Sequence, residues 1–370
     1  MSEDGASENS ISLDSLRQEI DRLDGDIQRL LNNRARCAQK VADVKNKHAN
    51  GEPVVYYRPE REAQVLRRVM DRNEGPLGDE TVAGLFREIM SACLALEEPM
   101  KVAFLGPAGT FTQAAAIKHF GHAVNTSAQN TIDEVFREVA SGQAHYGVVP
   151  VENTTEGMVN TTLDSFIESD LVICGEVELR IHHHLLVGSA TKAESISRIY
   201  SHQQSFAQCR KWLDANYPNA ERIPVNSNAD AARRLNDEWH AAAIAGSTAA
   251  EIYGLEMCAS NIEDNPDNTT RFLIVSKDII PPSGADKTSI IVSTKDRPGA
   301  LLELLEPFHR SGISLTRIET RPAPGGTWAY LFFIDFEGHH HDPATKAVLD
   351  ELQEKAVNIK MLGSYPCAVL

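Results

Sequence analysis

The sequence predicts a multidomain chain: an all-α segment that pairs with a second copy, an α/β segment in two halves, and a closing α+β unit of ferredoxin-like order. Three observations carry this. Leu13, Leu16, Ile20, Leu23, Ile27 and Leu30 step by three and four, a heptad-like seam. From Pro99 onward, strand-like apolar runs alternate with helical ones. After PPSGAD (281–286), a linker, the order becomes strand, helix, strand, strand, helix, strand, the βαββαβ pattern.

The first helix is expected over about 13–47, with Ser12 as N-cap. It would be roughly 50 Å long at ~1.5 Å per residue. The residues between it and Pro99 are too few to cover it, so its seam needs a second copy of the chain. NGEP (50–53) and NEGPLGD (73–79) break the pattern, giving a second helix from near Pro59 and a third to about Glu97. The domain bounds read as 12–98, 100–280 and 287–365. Residues 1–11 read as a disordered tail with no basic or apolar leader region, which implies a cytoplasmic protein.

Bulk numbers exclude several classes. With 42% hydrophobic and 24% charged residues the composition is that of a globular protein, and no apolar run approaches the ~18 residues of a membrane span. The net charge of -16 argues against a nucleic-acid partner, and means that an anionic ligand needs a local basic cluster. Six cysteines, Cys37, Cys93, Cys174, Cys209, Cys258 and Cys367, form no CxxC pair, so neither a disulfide framework nor a zinc site is implied.

In the α/β segment, strand KVAFLG leads through GPAGT (106–110) into a helix at about 112–120. TIDEVFREVASG and YGVVPVEN follow, then a second half with HHHLLVG, RIYSHQQ, a helix from Ser205, AAAIAG and TTRFLIVSK. The expected sheet is largely parallel. A strand feeding a helix through a glycine turn is a ready anion site, which marks Gly109 and Thr110. VENTTEGMVNTTLD (151–164) crowds polar side chains after a buried-looking strand, where α/β sheets carry ligands. TTRF (269–272) offers a hydroxyl, Thr270, and a fixed cation, Arg271; SHQQSFAQC puts Ser201 and Gln208 near a strand-to-helix turn.

On the first helix Arg34 and Lys45 stand eleven residues apart, about 1,100° of rotation, and so share a face within ~20°. Arg17 points about 100° away from Arg34, toward a pocket formed with the neighbouring chain, while Arg61 and Glu62 open the second helix. His182, His183 and His184 lack an acidic or cysteine partner at ligand spacing, and His339, His340 and His341 read as a loop. No metal and no cofactor is expected.

Together with YYRPERE and LFREIMSACLALEE, this helical layout resembles the helical chorismate mutase domain fused to bacterial prephenate dehydratases. The resemblance implies an intertwined dimer that binds chorismate through Arg17 of the partner subunit and through Arg34, Lys45, Arg61, Glu62 and Glu97. Lys45 and Glu97 would serve the breaking ether bond. Glu97 stands where a glutamine can occur, and must be protonated to donate a hydrogen bond. Cys93 stands at a serine position.

VENTTEG and TTRF resemble the prephenate dehydratase family, which implies a two-lobed fold like that of periplasmic binding proteins. Arg271 and the GPAGT amides would anchor carboxylates. Thr270 would meet the leaving hydroxyl, oriented by Glu152, Asn153 and Gln208. RPGAL (297–301) and ETRP (319–322) resemble the ACT domain signatures, implying an L-phenylalanine effector site at Gly299, Ala300, Leu301, Glu319, Thr320, Arg321 and Pro322. The expected whole converts chorismate to prephenate and prephenate to phenylpyruvate under phenylalanine feedback. A two-lobed ligand sensor without catalysis is a rival reading, as is a mutase fused to prephenate dehydrogenase, although no GxGxxG follows a strand.

Overall fold

The computed structural model describes residues 12–48, 55–294, 297–322 and 330–370. The expected tail and the NGEP break lie outside them. Three helices come first: α1 (Leu13–His48), α2 (Pro59–Asp71) and α3 (Asp79–Ala95). Apolar residues of α2 and α3, among them Leu66, Val69 and Ala83, are buried as the two helices pack. α1 touches α3 yet buries only Ala42, leaving its seam in solvent: Leu13 is 72% exposed, Ile20 55% and Leu30 58%. PPSGAD is no free tether. Arg67 of α2 donates to the Ser283 and Ala285 carbonyls and to Ser283 Oγ, fixing the helical segment to this joint.

The α/β segment forms two sheets. The first lobe orders its strands Asn125–Gln129, Lys101–Leu105, Tyr146–Asn153, Thr269–Ser276, Val172–Arg180, with Gly157–Met158 beside the third. The second lobe orders Glu256–Ala259, His184–Val187, Ala241–Ala245, Arg198–Ser201, Glu221–Pro224. Both sheets are mixed, not largely parallel as expected. The chain crosses to the second lobe after Arg180 and returns with Thr269–Ser276, which inserts antiparallel between Tyr146–Asn153 and Val172–Arg180. In the second lobe His184–Val187 likewise runs antiparallel to both its neighbours.

One irregularity decides what faces the cleft. Thr270 pairs with Asn153 and Arg271 with Glu152, but Phe272 pairs with Pro150, so Val151 is an extra residue. Such a bulge reverses the side-chain alternation beyond it.

The last segment is a four-stranded antiparallel sheet ordered Leu315–Pro322, Tyr330–Glu337, Asp286–Ser293, Asn358–Pro366, with helices Ala300–Ser311 and Pro343–Lys355 on one face. Its other face shares a core with the first lobe through Ile291, Phe333, Leu362 and Tyr365. Gly363 permits the approach: at φ +143° a Cβ there would lie 2.3 Å from the Ile173 carbonyl oxygen.

Candidate functional site

Two cavities gather part of the polar set singled out in the sequence. The first, of about 480 Å³, lies on the helical segment and is lined by Arg34, Lys45, Arg58, Arg61, Glu62 and Glu97, with Val41, Val65, Cys93 and Leu94 as apolar wall. Helical spacing accounts for Arg34 and Lys45; α2 and the end of α3 bring the rest. Lys45 Nζ donates to the carbonyls of Val55 at 3.1 Å and Tyr56 at 3.2 Å, while burial lowers its pKa against the pull of Glu97. Burial also raises the Glu97 carboxyl above its ordinary value, with Lys45 and Arg34 opposing. Glu62 is pushed up to about 7 by burial in spite of Arg87, 3.3 Å away, whose Nη1 donates to the Lys118 carbonyl of the first lobe. Arg17 does not reach this cavity. It stands exposed on α1 beside Asp14. Nothing in the spacing marks Arg58, because it precedes α2 on an extended backbone.

The second cavity, of about 370 Å³, lies between the two α/β lobes. Asn153 and Thr270 enter it from paired strand positions, and Asn153 Nδ2 donates to Thr270 Oγ1 at 2.7 Å. The same amide donates to Asn268 Oδ1, and Asn153 Oδ1 accepts from the backbone N–H groups of Thr155 and Glu156. Gln208 faces them from the second lobe. Its Nε2 reaches Glu156 Oε1 at 3.4 Å, and its Oε1 meets His183 Nε2 at 2.7 Å. Four helix N-caps line the same space: Thr110, His202, Ser227 and Gly246. The lobes close on each other there, since a Cβ on Gly246 would lie 2.8 Å from the Phe111 ring.

Several expected roles do not survive this geometry. Contrary to the sequence expectation, Arg271 turns away from the cleft, because neighbours on a strand face opposite sides. Its guanidinium meets Glu176 at 2.9 Å, Asp335 at 2.7 Å and the Tyr365 hydroxyl at 3.0 Å. Glu152 also points to the rear, toward Arg317 at 3.6 Å, because the bulge at Val151 gives the cleft to Asn153 instead. The Gly109 N–H donates to Gln113 Oε1 at 2.7 Å, so it is no free anchor, and the Thr110 hydroxyl donates to the Leu105 carbonyl. Ser201 is fully buried beneath the cavity. It donates to Asn228 Oδ1, which also accepts from the His202 N–H and from Ser205 Oγ.

The cleft contains residues that the sequence left without a role: Glu156, His183, His202, Asn228 and Asn268. The spacing Ser227-x-x-Asp230 is a capping signature that marks the helix start at Asn228, and Ser227 Oγ does accept from the Asp230 N–H. His183 carries no comparable signal; only its burial beside Phe111 distinguishes it from His182. Both ring nitrogens of His339 are engaged, with the Ile280 carbonyl and the His341 N–H, so the 339–341 run holds a turn together.

In the last segment Gly299 adopts φ +83° and caps helix Ala300–Ser311, and Ala300 lines a cavity of about 380 Å³ with Arg297, Glu303 and Lys355. Leu301 is exposed. The ETRP residues lie apart from that cavity on an edge strand. Arg321 makes a bidentate pair with Asp164 of the first lobe, Glu319 is half-buried, and Thr320 and Pro322 are exposed.

Comparison with known proteins accounts for all three segments. Family models match chorismate mutase type II over residues 16–98, prephenate dehydratase over 102–279 and the ACT domain over 288–354. The bifunctional chorismate mutase/prephenate dehydratase of Pseudomonas aeruginosa is 63% identical over 359 residues, covering 97% of this chain and 98% of that one. The protein of the same description from Neisseria gonorrhoeae is 53% identical, covering 96% and 97%. Among solved structures, a prephenate dehydratase from Arthrobacter aurescens in complex with L-Phe is 36% identical with a TM-score of 0.67, covering 72% of this chain and 90% of that one.

Proposed function

The chain belongs to the bifunctional chorismate mutase/prephenate dehydratase family, and on that premise we propose how its cavities divide the work. Chorismate binds the helical cavity, where Arg34 and Arg61 hold its carboxylates as guanidinium forks. Lys45 and a protonated Glu97 stabilise charge on the breaking ether oxygen. Arg17 of the partner subunit completes the site, so the mutase works as a homodimer in the cytoplasm. What supports this is the bare apolar seam on α1, which nothing among the described residues of its own chain covers.

Prephenate binds between the α/β lobes. Its ring carboxylate leaves as CO₂, the electron pair enters the ring, and the ring C–O bond breaks to give phenylpyruvate. No arginine or lysine lines this cleft among the described residues. The carboxylates therefore rest on hydrogen-bond donors around the helix N-caps, with His202, Ser227 and Asn228 foremost, where peptide dipoles favour an anion. Thr270 meets the departing hydroxyl. Its oxygen accepts from Asn153 and so keeps its own proton free to donate, which is the observation that carries the assignment.

The ACT segment spans about 287–365 and takes L-phenylalanine as effector. Its Gly299, Ala300 and Leu301 and its ETRP strand belong to that site, completed by a second copy because the two groups lie apart within one chain. Supplying purified protein first with chorismate and then with prephenate, and following phenylpyruvate with and without phenylalanine, tests all three roles. Product from both substrates, suppressed by phenylalanine, is expected. Product from neither would overturn the reading.

A further inference from the structure

Thr270 is a weak acid, and a hydroxyl lost from a ring carbon needs a proton. Resting on the reading of the cleft as the prephenate site, we propose that the Glu156 carboxyl delivers that proton, while Thr270 positions the hydroxyl that receives it.

Three observations lead to Glu156. It is the sole carboxylate in the lining of the inter-lobe cavity among the described residues. Glu152, its rival in the same motif, faces the rear and pairs with Arg317. Glu156 is also tied to Thr270 by one side chain: Asn153 donates to Thr270 Oγ1 and accepts from the Glu156 N–H, so a single amide holds the Glu156 backbone beside the Thr270 hydroxyl.

Gln208 reaches Glu156 Oε1 from the opposite lobe, which brings the carboxyl toward the space between the lobes. Gln208 is itself held by the buried His183. The charged or titratable groups that face Glu156 are therefore His202 and, through Gln208, His183. Burial raises the Glu156 pKa and His202 opposes it, so its protonated form persists to higher pH than that of a free carboxyl. Glu156 remains exposed at the lip of the cleft, which lets solvent reprotonate it after each turnover.

The step balances. The bond from ring carbon to carboxylate breaks and its electrons form the new ring double bond. The ring C–O bond breaks, the oxygen takes the Glu156 proton, and water and CO₂ depart. Glu156, left as carboxylate, regains a proton from solvent.

The test uses the full chain, because the mutase rate of the same preparation reports folding. Glu156→Gln keeps the hydrogen bond with Gln208 and removes the acid. Its dehydratase kcat should fall about 10²- to 10⁴-fold, the usual contribution of a general acid, with KM for prephenate little changed. The alkaline limb of the kcat profile should vanish. Glu156→Asp should retain that limb and lose less. A Gln variant within about threefold of the wild type with the same limb, or an Asp variant as slow as Gln, overturns the assignment. A wild type that makes no phenylpyruvate from prephenate would instead remove the reading of the cleft on which it rests.

Discussion

The two cavities proposed for the two dicarboxylates are built by different means. The helical cavity is basic, with Arg34, Arg58 and Arg61 at or near solvent and one wall formed by a helix whose apolar side is bare. The inter-lobe cleft carries no lysine or arginine among its described lining residues; it lies between two sheets and is held from behind by buried charge. A long helix presents fixed cations along one face, whereas a two-lobed cleft can rely on donors oriented at helix N-termini.

The largest effect expected tests the buried scaffold. Arg271 sits among Glu176, Asp335 and Tyr365, with Lys287 also on Glu176, and the two arginines near Asp335 hold its carboxyl below the ordinary range although burial acts the other way. Arg271→Met would leave two buried carboxylates short of a partner and cost about 3–5 kcal/mol, read by denaturant unfolding of the full chain. A loss under about 1 kcal/mol would mean that the cluster is as weak as a surface pair.

Next comes the cleft. Thr270→Ala should lower dehydratase kcat by about 10²- to 10³-fold, the scale of one lost donor at a reacting oxygen, while leaving mutase turnover intact. Near-normal dehydratase turnover would return Thr270 to a structural role.

The seam separates the cavities most directly. A double change, Leu16→Asp with Leu23→Asp, should shift the chain toward monomer in light scattering and depress mutase activity about a hundredfold through loss of the partner's Arg17. Dehydratase activity should persist. Equal loss of both would show that the cleft, too, depends on the second copy.

The smallest effect is a slope. If Glu97 must be protonated, its raised pKa places full mutase activity at low pH, and kcat/KM should fall about tenfold per unit above that pKa, the limiting slope of one titration. Glu97→Gln should flatten the profile. Identical profiles in the two proteins would remove Glu97 from the proton's path.

Much of this was legible in residue spacing. The seam on α1, the shared face of Arg34 and Lys45, and the final βαββαβ order follow from periods of 3.6 and 2, which are local properties of the backbone. The pairing of Asn153 with Thr270 is of another kind. Both residues belong to marked motifs, but 117 residues separate them, and only the insertion of Thr269–Ser276 beside Tyr146–Asn153 makes them neighbours.

The misplaced anchors show where spacing stops. Alternation along TTRF already says that Thr270 and Arg271 face opposite ways, yet not which of them faces the ligand. Pro150 in VVPVEN does mark a break in the ladder, because proline has no N–H to donate, yet it does not say that the bulge exchanges Glu152 for Asn153 on the cleft side. By itself, then, the sequence determined the elements, the family and the motifs that carry chemistry, because those depend on nearest neighbours along the chain. The tertiary structure alone decided which face of each strand meets the substrate, because a face acquires its meaning only from what packs against it.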